Sequence, residues 1–177
     1  PQAVAHASTT FHPEITNAIT AAQSAGLTIS VLAWDGVALA VFAVGDEIKA
    51  DAAKTVLSLR AMGITPWLVT GDSPEVAASV AALVSIDPSH VVASAMPQDK
   101  LAIVEKLKSE GHRVLMIGDG INDAAALTAA DLSMAMGTGT DTAISSADIT
   151  LMRTTFSSVI DALKLSNKTV RIIRTNL

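Results

Sequence analysis

Cysteine is absent from this 177-residue chain, which excludes disulfides and thiolate metal sites and fits a reducing compartment. No apolar run is long enough to cross a bilayer, although half of the residues are apolar. That share is rich for a soluble domain, and the length suits one domain with a sizeable core. Aromatic residues make up 3% and nowhere interleave with basic runs, and the formal charge is −5 with a pI near 5.2. A nucleic-acid surface needs the opposite on both counts, so nucleic acid is excluded as a partner. Internal repeats, low-complexity segments and a secretory or transit segment are also missing. The chain begins at Pro1 and reads as a processed or excised piece. His6, His12, His90 and His112 share no ligand spacing, which leaves them as surface or core residues. The six methionines are scattered as core packing scatters them, not grouped as copper ligands.

What is present is a regular alternation. Helical spacing over residues 14–25 stops at Gly26, a residue suited to the position past a helix end. Strands at 28–34 and 37–43 flank Asp35-Gly36, which accepts the positive φ values of a tight hairpin turn. Residues 48–62 form a helix closed by Gly63. Strands are then expected at 65–70, 91–93, 114–117, 132–136 and 149–152. Helices are expected at 74–84, 97–109, 121–129 and 142–146, with a long one from about 156. This order gives an α/β fold, a parallel sheet with helices on both faces.

Chemistry gathers where strands pass into helices. Gly118-Asp119-Gly120-Ile121-Asn122-Asp123-Ala124-Ala125-Ala126-Leu127 follows the apolar run Val114-Leu115-Met116-Ile117. Asp119 and Asp123 therefore stand at the carboxyl edge of a parallel sheet, where open α/β folds bind ligands. Two acids there suggest magnesium and phosphate, although turn glycines and helix-capping aspartates would spell the same letters. Val69-Thr70-Gly71-Asp72-Ser73 is a second such junction. Met96-Pro97-Gln98-Asp99-Lys100 is a third, with a proline suited to the first helical turn and a lysine further in.

Taken singly, Thr70 and Asp72 read equally well as caps of the helix from Pro74, and Lys100 as a solvated helix lysine. As an ordered set, a hydroxyl, an ammonium and carboxylates at three junctions form one phosphoryl-transfer site. Such a site works by in-line positioning and by neutralising charge on the equatorial oxygens. Thr70 and the amide of Gly71 donate to those oxygens, and Lys100 places a point charge on them. Asp72 joins the acidic cluster. Asp119, with Gly120 beside it, is the candidate magnesium ligand; Asp123 is the second candidate for the metal. Magnesium takes few protein carboxylates, so Asn122 and Asp123 are expected to support, orienting ligands or holding Lys100.

As a set, TGDS, MPQDK, GDGINDAAAL and Ala130-Asp131-Leu132-Ser133-Met134-Ala135-Met136-Gly137-Thr138-Gly139-Thr140-Asp141 resemble the phosphorylation domain of P-type ATPases, a branch of the haloacid dehalogenase superfamily. GTGTD and Ala147-Asp148-Ile149-Thr150-Leu151-Met152 are most similar to its heavy-metal-transporting branch. The resemblance covers residues 31–177. It implies a haloacid dehalogenase-like sheet, ATP and Mg2+ as cofactors, and the same roles for Thr70, Gly71, Asp72, Lys100, Asp119, Gly120, Asn122 and Asp123. It implies a parent protein that moves a heavy-metal cation, with copper export the best-known case, and a place at the cytoplasmic face of the cell membrane. Its partners there are the nucleotide-binding, actuator and transmembrane domains, and the transported metal is bound elsewhere. Residues 1–27 are then the end of a nucleotide-binding domain or a linker, 28–155 the later part of the phosphorylation domain, and 156–177 a helix leading towards the membrane.

The family's defining DKTGT, whose aspartate becomes the phosphoenzyme, occurs nowhere in the chain. The resemblance thus implies that the central nucleophile strand is not present here and that this chain alone is inactive. It further implies a gap between the strand ending at Thr70 and the one ending at Gly118. Open strand edges invite pairing, so a substitute strand, an additional segment or a second copy is expected there. Two other readings share Thr70, Lys100 and Asp119: a soluble phosphatase of the superfamily, and a regulatory module that keeps the fold without the nucleophile.

Some features depart from the pattern. Gly45-Asp46-Glu47-Ile48-Lys49-Ala50 ends in alanine where the family motif has proline, which leaves Asp46 as a hinge or capping acid. His12-Pro13 lies too close to the hairpin to match the family's nucleotide-domain His-Pro pair. Gly137-Thr138-Gly139-Thr140 lacks the third glycine and the downstream acid of a dinucleotide fingerprint and reads as a tight loop that shapes the domain. Residues 166–177 combine cations with apolar residues at helical spacing, as a helix approaching an anionic membrane face or a charged surface helix would.

Overall fold

The computed structural model describes residues 10–24, 27–45, 48–153 and 155–176, so His6, Asp46 and the Gly26 helix stop lie outside the described residues. Helix α1 (Pro13–Ser24) leads into a hairpin of β1 (Thr28–Trp34) and β2 (Val37–Val44). Its turn places Asp35 at φ 48° and Gly36 at φ 75°, the conformation that an Asp-Gly pair tolerates. The strands pair antiparallel from Thr28 opposite Val44 to Trp34 opposite Val37, with a bulge between Leu32 and Ala33. Helix α1 packs against both strands, while Leu32, Phe42 and Val44 stay exposed.

The rest is the alternating part. It runs α2 (Ala52–Ala61), β3 (Leu68–Val69), α3 (Pro74–Val84), a 3-10 turn (Pro88–His90), β4 (Val91–Val92) and α4 (Pro97–Ser109). It continues with β5 (Leu115–Gly118), a 3-10 turn (Ile121–Asp123), α5 (Ala124–Ala129), β6 (Leu132–Met136), α6 (Asp141–Ser146), β7 (Ile149–Leu151) and α7 (Ser158–Thr175). Strands β5, β6 and β7 form a parallel sheet in that order, and β3 and β4 form a separate parallel pair.

Side-chain alternation along β6 assigns the two faces of the larger sheet. Met134 and Met136 pack with Leu59 of α2 and with Val159 and Ile160 of α7. Ala135, between them, packs on the other face with Leu127 of α5 and Ala143 of α6. Met134 and Val159 are 1% and 0% exposed, and burial of such a side chain contributes about 1.5–3 kcal/mol. Val56 of α2 belongs to a second cluster with Ala81 and Val84 of α3, against Leu68 and Val91 of the smaller sheet. One helix therefore ties the two sheets together. The expected α/β architecture with helices on both faces is present.

The sheet centre differs from expectation. Strands β3 and β5 each bond a single neighbour, β4 and β6, and among the described residues no substitute strand joins them. The strand expected at 65–70 contracts to Leu68–Val69 and that at 91–93 to Val91–Val92. A ladder is only as long as its partners, and β3 has a two-residue partner on one side and none on the other.

Other boundaries move for local reasons. The helix expected from 48 begins at Ala52, and the Asp51 carboxylate, instead of capping it, accepts the Ser157 N–H at 2.8 Å. The strand expected at 114–117 slides to Leu115–Gly118, since the Val114 N–H donates to the Asp131 carboxylate at 2.9 Å. Helix 121–129 opens as a 3-10 turn, tightened where Asp123 Oδ2 accepts the Gly120 N–H at 3.3 Å. Helix α7 starts at Ser158 rather than 156.

Candidate active site

Thr70 sits just past β3 and is held by its backbone on both sides. Its N–H donates to Val92 O and its carbonyl accepts the Ala95 N–H, each at 2.9 Å. The Thr70 hydroxyl donates to Asp72 Oδ2 at 2.7 Å and accepts the Asp72 N–H at 3.2 Å. The loop after β4 closes on this turn, with the Ser94 N–H donating to Asp72 O at 2.7 Å. Capping of α3 falls to Ser73, whose Oγ accepts the Val76 N–H at 3.4 Å, with Pro74 in the first turn. Thr70 and Asp72 are thus not consumed as caps, and Gly71 and Asp72 stand exposed.

Lys100 is reached from the same loop. Ala95 leads to Met96, whose N–H donates to Asp99 Oδ2 at 2.8 Å and so fixes the start of α4. In the first turn of that helix Lys100 Nζ donates to Asp123 Oδ1 at 2.6 Å, with the two side chains 16% and 9% exposed. This is no solvated helix lysine. Asp123 uses its other oxygen for the Gly120 N–H and packs flat on Gly118, where a Cβ would stand 2.7 Å from Asp123 Cβ. A glycine is required at the end of β5 because the carboxylate crosses over it.

Asp119 follows Gly118 and is exposed, as is Asn122. The Asp119 carboxylate has no hydrogen bond or ion pair to any described residue. Its backbone carbonyl accepts the Thr140 N–H at 2.8 Å. Among the described residues no three acidic or histidine side chains cluster as a metal cage. A cation here would have one free carboxylate and water around it, which suits magnesium and its reluctance to dehydrate better than zinc or calcium.

Hydrogen bonds and the chain between them form one continuous path from Thr70 through Ala95, the start of α4, Lys100, Asp123 and Gly120 to Asp119. Thr70, Gly71 and Asp72 thus stand on the turn after β3, and Asp119, Gly120, Asn122 and Asp123 on the turn after β5, with Lys100 of α4 bonded to the second turn through Asp123. A cleft of about 510 Å3 lined by Arg60, Ala78, Ala82, Asp87 and Val91 contains none of these candidate residues. It is not where the chemistry gathers.

Sequence reasoning read the loop after β6 only as shaping the domain. In the structure it presses on Asp119, and the signal available was the pair of closely spaced glycines, Gly137 and Gly139. The Ser133–Asp148 clasp was also not foreseen: Asp148 Oδ2 accepts the Ser133 hydroxyl and N–H, both at 2.8 Å. Those bonds, the hydroxyl's first, hold the Asp148 carboxyl below its ordinary value.

A family model described as haloacid dehalogenase-like hydrolase matches residues 3–131. The chain belongs to that family. A second model of the same description matches residues 100–163. The haloacid dehalogenase-like chain is 40% identical over 168 residues to copper-transporting ATPase 2 of Mus musculus, covering 95% of this chain and 11% of that protein. It is 45% identical over 155 residues to probable copper-exporting P-type ATPase V of Mycobacterium tuberculosis, covering 88% of this chain and 20% of that one. Among solved structures, a zinc-transporting PIB-type ATPase in the E2.Pi state superposes with a TM-score of 0.76 at 34% identity, over 91% of this chain and 26% of that chain. The chain thus spans about a tenth to a quarter of the length of these relatives.

Proposed function

We propose that this chain supplies the magnesium- and phosphate-binding side of an aspartyl-phosphate site in an ATP-driven heavy-metal cation transporter. The observation that carries the reading is the arrangement at the sheet centre. Thr70 and Asp119 directly follow β3 and β5, each of which is bonded on one edge only among the described residues, and Lys100 is locked by Asp123, whose other oxygen holds Gly120 beside Asp119. A strand from outside these residues, ending in a carboxylate, would complete it.

In that setting the Thr70 hydroxyl and the Gly71 amide hold phosphoryl oxygens, and Lys100 neutralises charge that the transition state spreads over them. The Thr70 hydroxyl gives its one proton to Asp72 in this structure, so it turns from Asp72 to a phosphoryl oxygen when one is bound, and Asp123 keeps the Lys100 ammonium aimed. Asp119, with Gly120 beside it, would hold Mg2+, with Asn122 and Asp123 acting on it through water; bound there, the ion supplies charge neutralisation between phosphoryl and acceptor oxygens. The names of the relatives support copper as the first cargo to test. ATP, the nucleotide-binding, actuator and transmembrane parts of a longer protein, and a cytoplasmic membrane face are the partners and place that this reading implies. Residues 1–27 would belong to the nucleotide side, and α7 would lead towards the membrane.

The test is thermal unfolding with and without Mg2+. At a hundredfold excess over Kd, linkage contributes about 2.7 kcal/mol to stability, so the wild-type midpoint should rise with Mg2+. Asp119→Ala should lose that rise and keep its fold. Retention of the full magnesium response in Asp119→Ala would place the ion elsewhere and remove the site assignment.

A further inference from the structure

The loop between β6 and α6 makes contacts that the chemistry above does not use. The Thr140 N–H donates to Asp119 O at 2.8 Å, and the Gly139 N–H donates to Met136 O at 2.8 Å. A Cβ on Gly139 would meet Asp119 O at 2.7 Å, Met136 O at 2.9 Å and Asp119 Cα at 3.1 Å. All three are backbone atoms, which cannot swing aside as the end of a flexible side chain can. Thr140 is itself anchored, since its hydroxyl accepts the Ala143 N–H at 3.3 Å as the cap of α6. Ala143 is fully buried in the cluster with Leu127 and Ala135.

The Asp119 carboxylate has no partner of its own among the described residues, so what the structure fixes is the backbone and Cα–Cβ direction from which it swings. We infer that Gly139 and Thr140 are positioning residues, which clamp the Asp119 backbone so that its free carboxylate is aimed at a divalent cation. This rests on Asp119 as the magnesium ligand. Groups that orient a metal ligand typically change affinity about 10–100-fold when lost.

Gly137 provides a matched control. A Cβ there would meet Leu151 O at 2.8 Å and Met152 Cα at 3.1 Å, contacts about as tight as those at Gly139, yet none of its three nearest atoms belongs to Asp119. The experiment titrates Mg2+ into the full chain, reading Kd from backbone amide shifts, with the metal-free melting temperature as the gauge of structural damage. Wild type, Gly137→Ala, Gly139→Ala and Asp119→Ala are compared. Both glycine variants should melt lower without metal. Only Gly139→Ala should weaken Mg2+ binding, by about 10-fold or more, and Asp119→Ala should abolish it. Thr140→Val, which removes the anchoring cap, should weaken binding in the same direction, and Thr140→Ser should restore it.

A wild-type Kd in both Gly139→Ala and Thr140→Val would overturn the inference, as would an equal loss in Gly137→Ala. Should Gly139→Ala not fold, the Thr140 pair decides alone. Full binding by Asp119→Ala would instead remove the underlying assignment of the ligand, an outcome distinct from wild-type binding by Gly139→Ala beside a non-binding Asp119→Ala.

Discussion

Lys100 and Asp123 illustrate what one ion pair does when it is nearly closed off from water. The pair is 2.6 Å long, with side chains 16% and 9% exposed, so each charge has given up most of its hydration and depends on the other. Removing one member of such a pair costs about 3–5 kcal/mol, because the survivor is left buried without compensation. Lys100→Ala should therefore lower the urea midpoint strongly, while Mg2+ binding at Asp119 is kept or enhanced, since a competing cation has gone. Unchanged stability would show that the pair is not closed in solution. At this scale the sequence located the strand-to-helix junctions on which Thr70, Lys100, Asp119 and Asp123 sit. It was uninformative about Gly139, whose partner is a backbone atom twenty residues earlier. Nothing in the letters of a loop states which distant carbonyl it will press against.

Elements with a local stop signal were legible from sequence. Helices α3 and α4 begin at Pro74 and Pro97 and end where expected, and β6 occupies Leu132–Met136 as its alternation requires. Strand β3 was misjudged because its length depends on neighbours, not on its own residues. The same β6 alternation predicts that Met134→Ala, at a site 1% exposed, should cost about 2–5 kcal/mol in denaturant unfolding. A cost below about 1 kcal/mol would mean that the sheet face is not packed as described. Asp51 joins the start of α2 to the start of α7 through the Ser157 N–H, and that bond, its largest influence, pulls the carboxyl below its ordinary value of 3.8. A lowered folded pKa stabilises above the unfolded value and loses that contribution as pH falls through the folded one. The melting-temperature gap between wild type and Asp51→Ala should be steady near neutrality and close below about pH 4. It should be small, because the group is only half-buried and solvent still screens it. A gap that persists unchanged into strong acid would assign the effect to packing and not to the charge.

At the scale of the whole molecule, the informative feature is a pair of separate parallel sheets that nevertheless share a well-packed interior. Helix α2 spans the break, with Val56 in one core cluster and Leu59 in the other. The fold class was readable because strand and helix alternate along most of the chain. The expected substitute strand was not found among the described residues, since composition and periodicity say what a segment prefers and not whether an empty edge is filled. Those edges should be visible in solution: amides of β6, bonded on both sides, should exchange with deuterium far more slowly than those of β3 and β5. Uniform protection across all three would show that something occupies the gap. The central claim is that this chain holds the magnesium and phosphate groups of the site and lacks its nucleophile. It is tested most directly by acid-quenched labelling of the full chain with Mg-ATP. The expected result is no acid-stable, hydroxylamine-sensitive phosphate on any residue of the chain; such a label on one of its own aspartates would contradict the account.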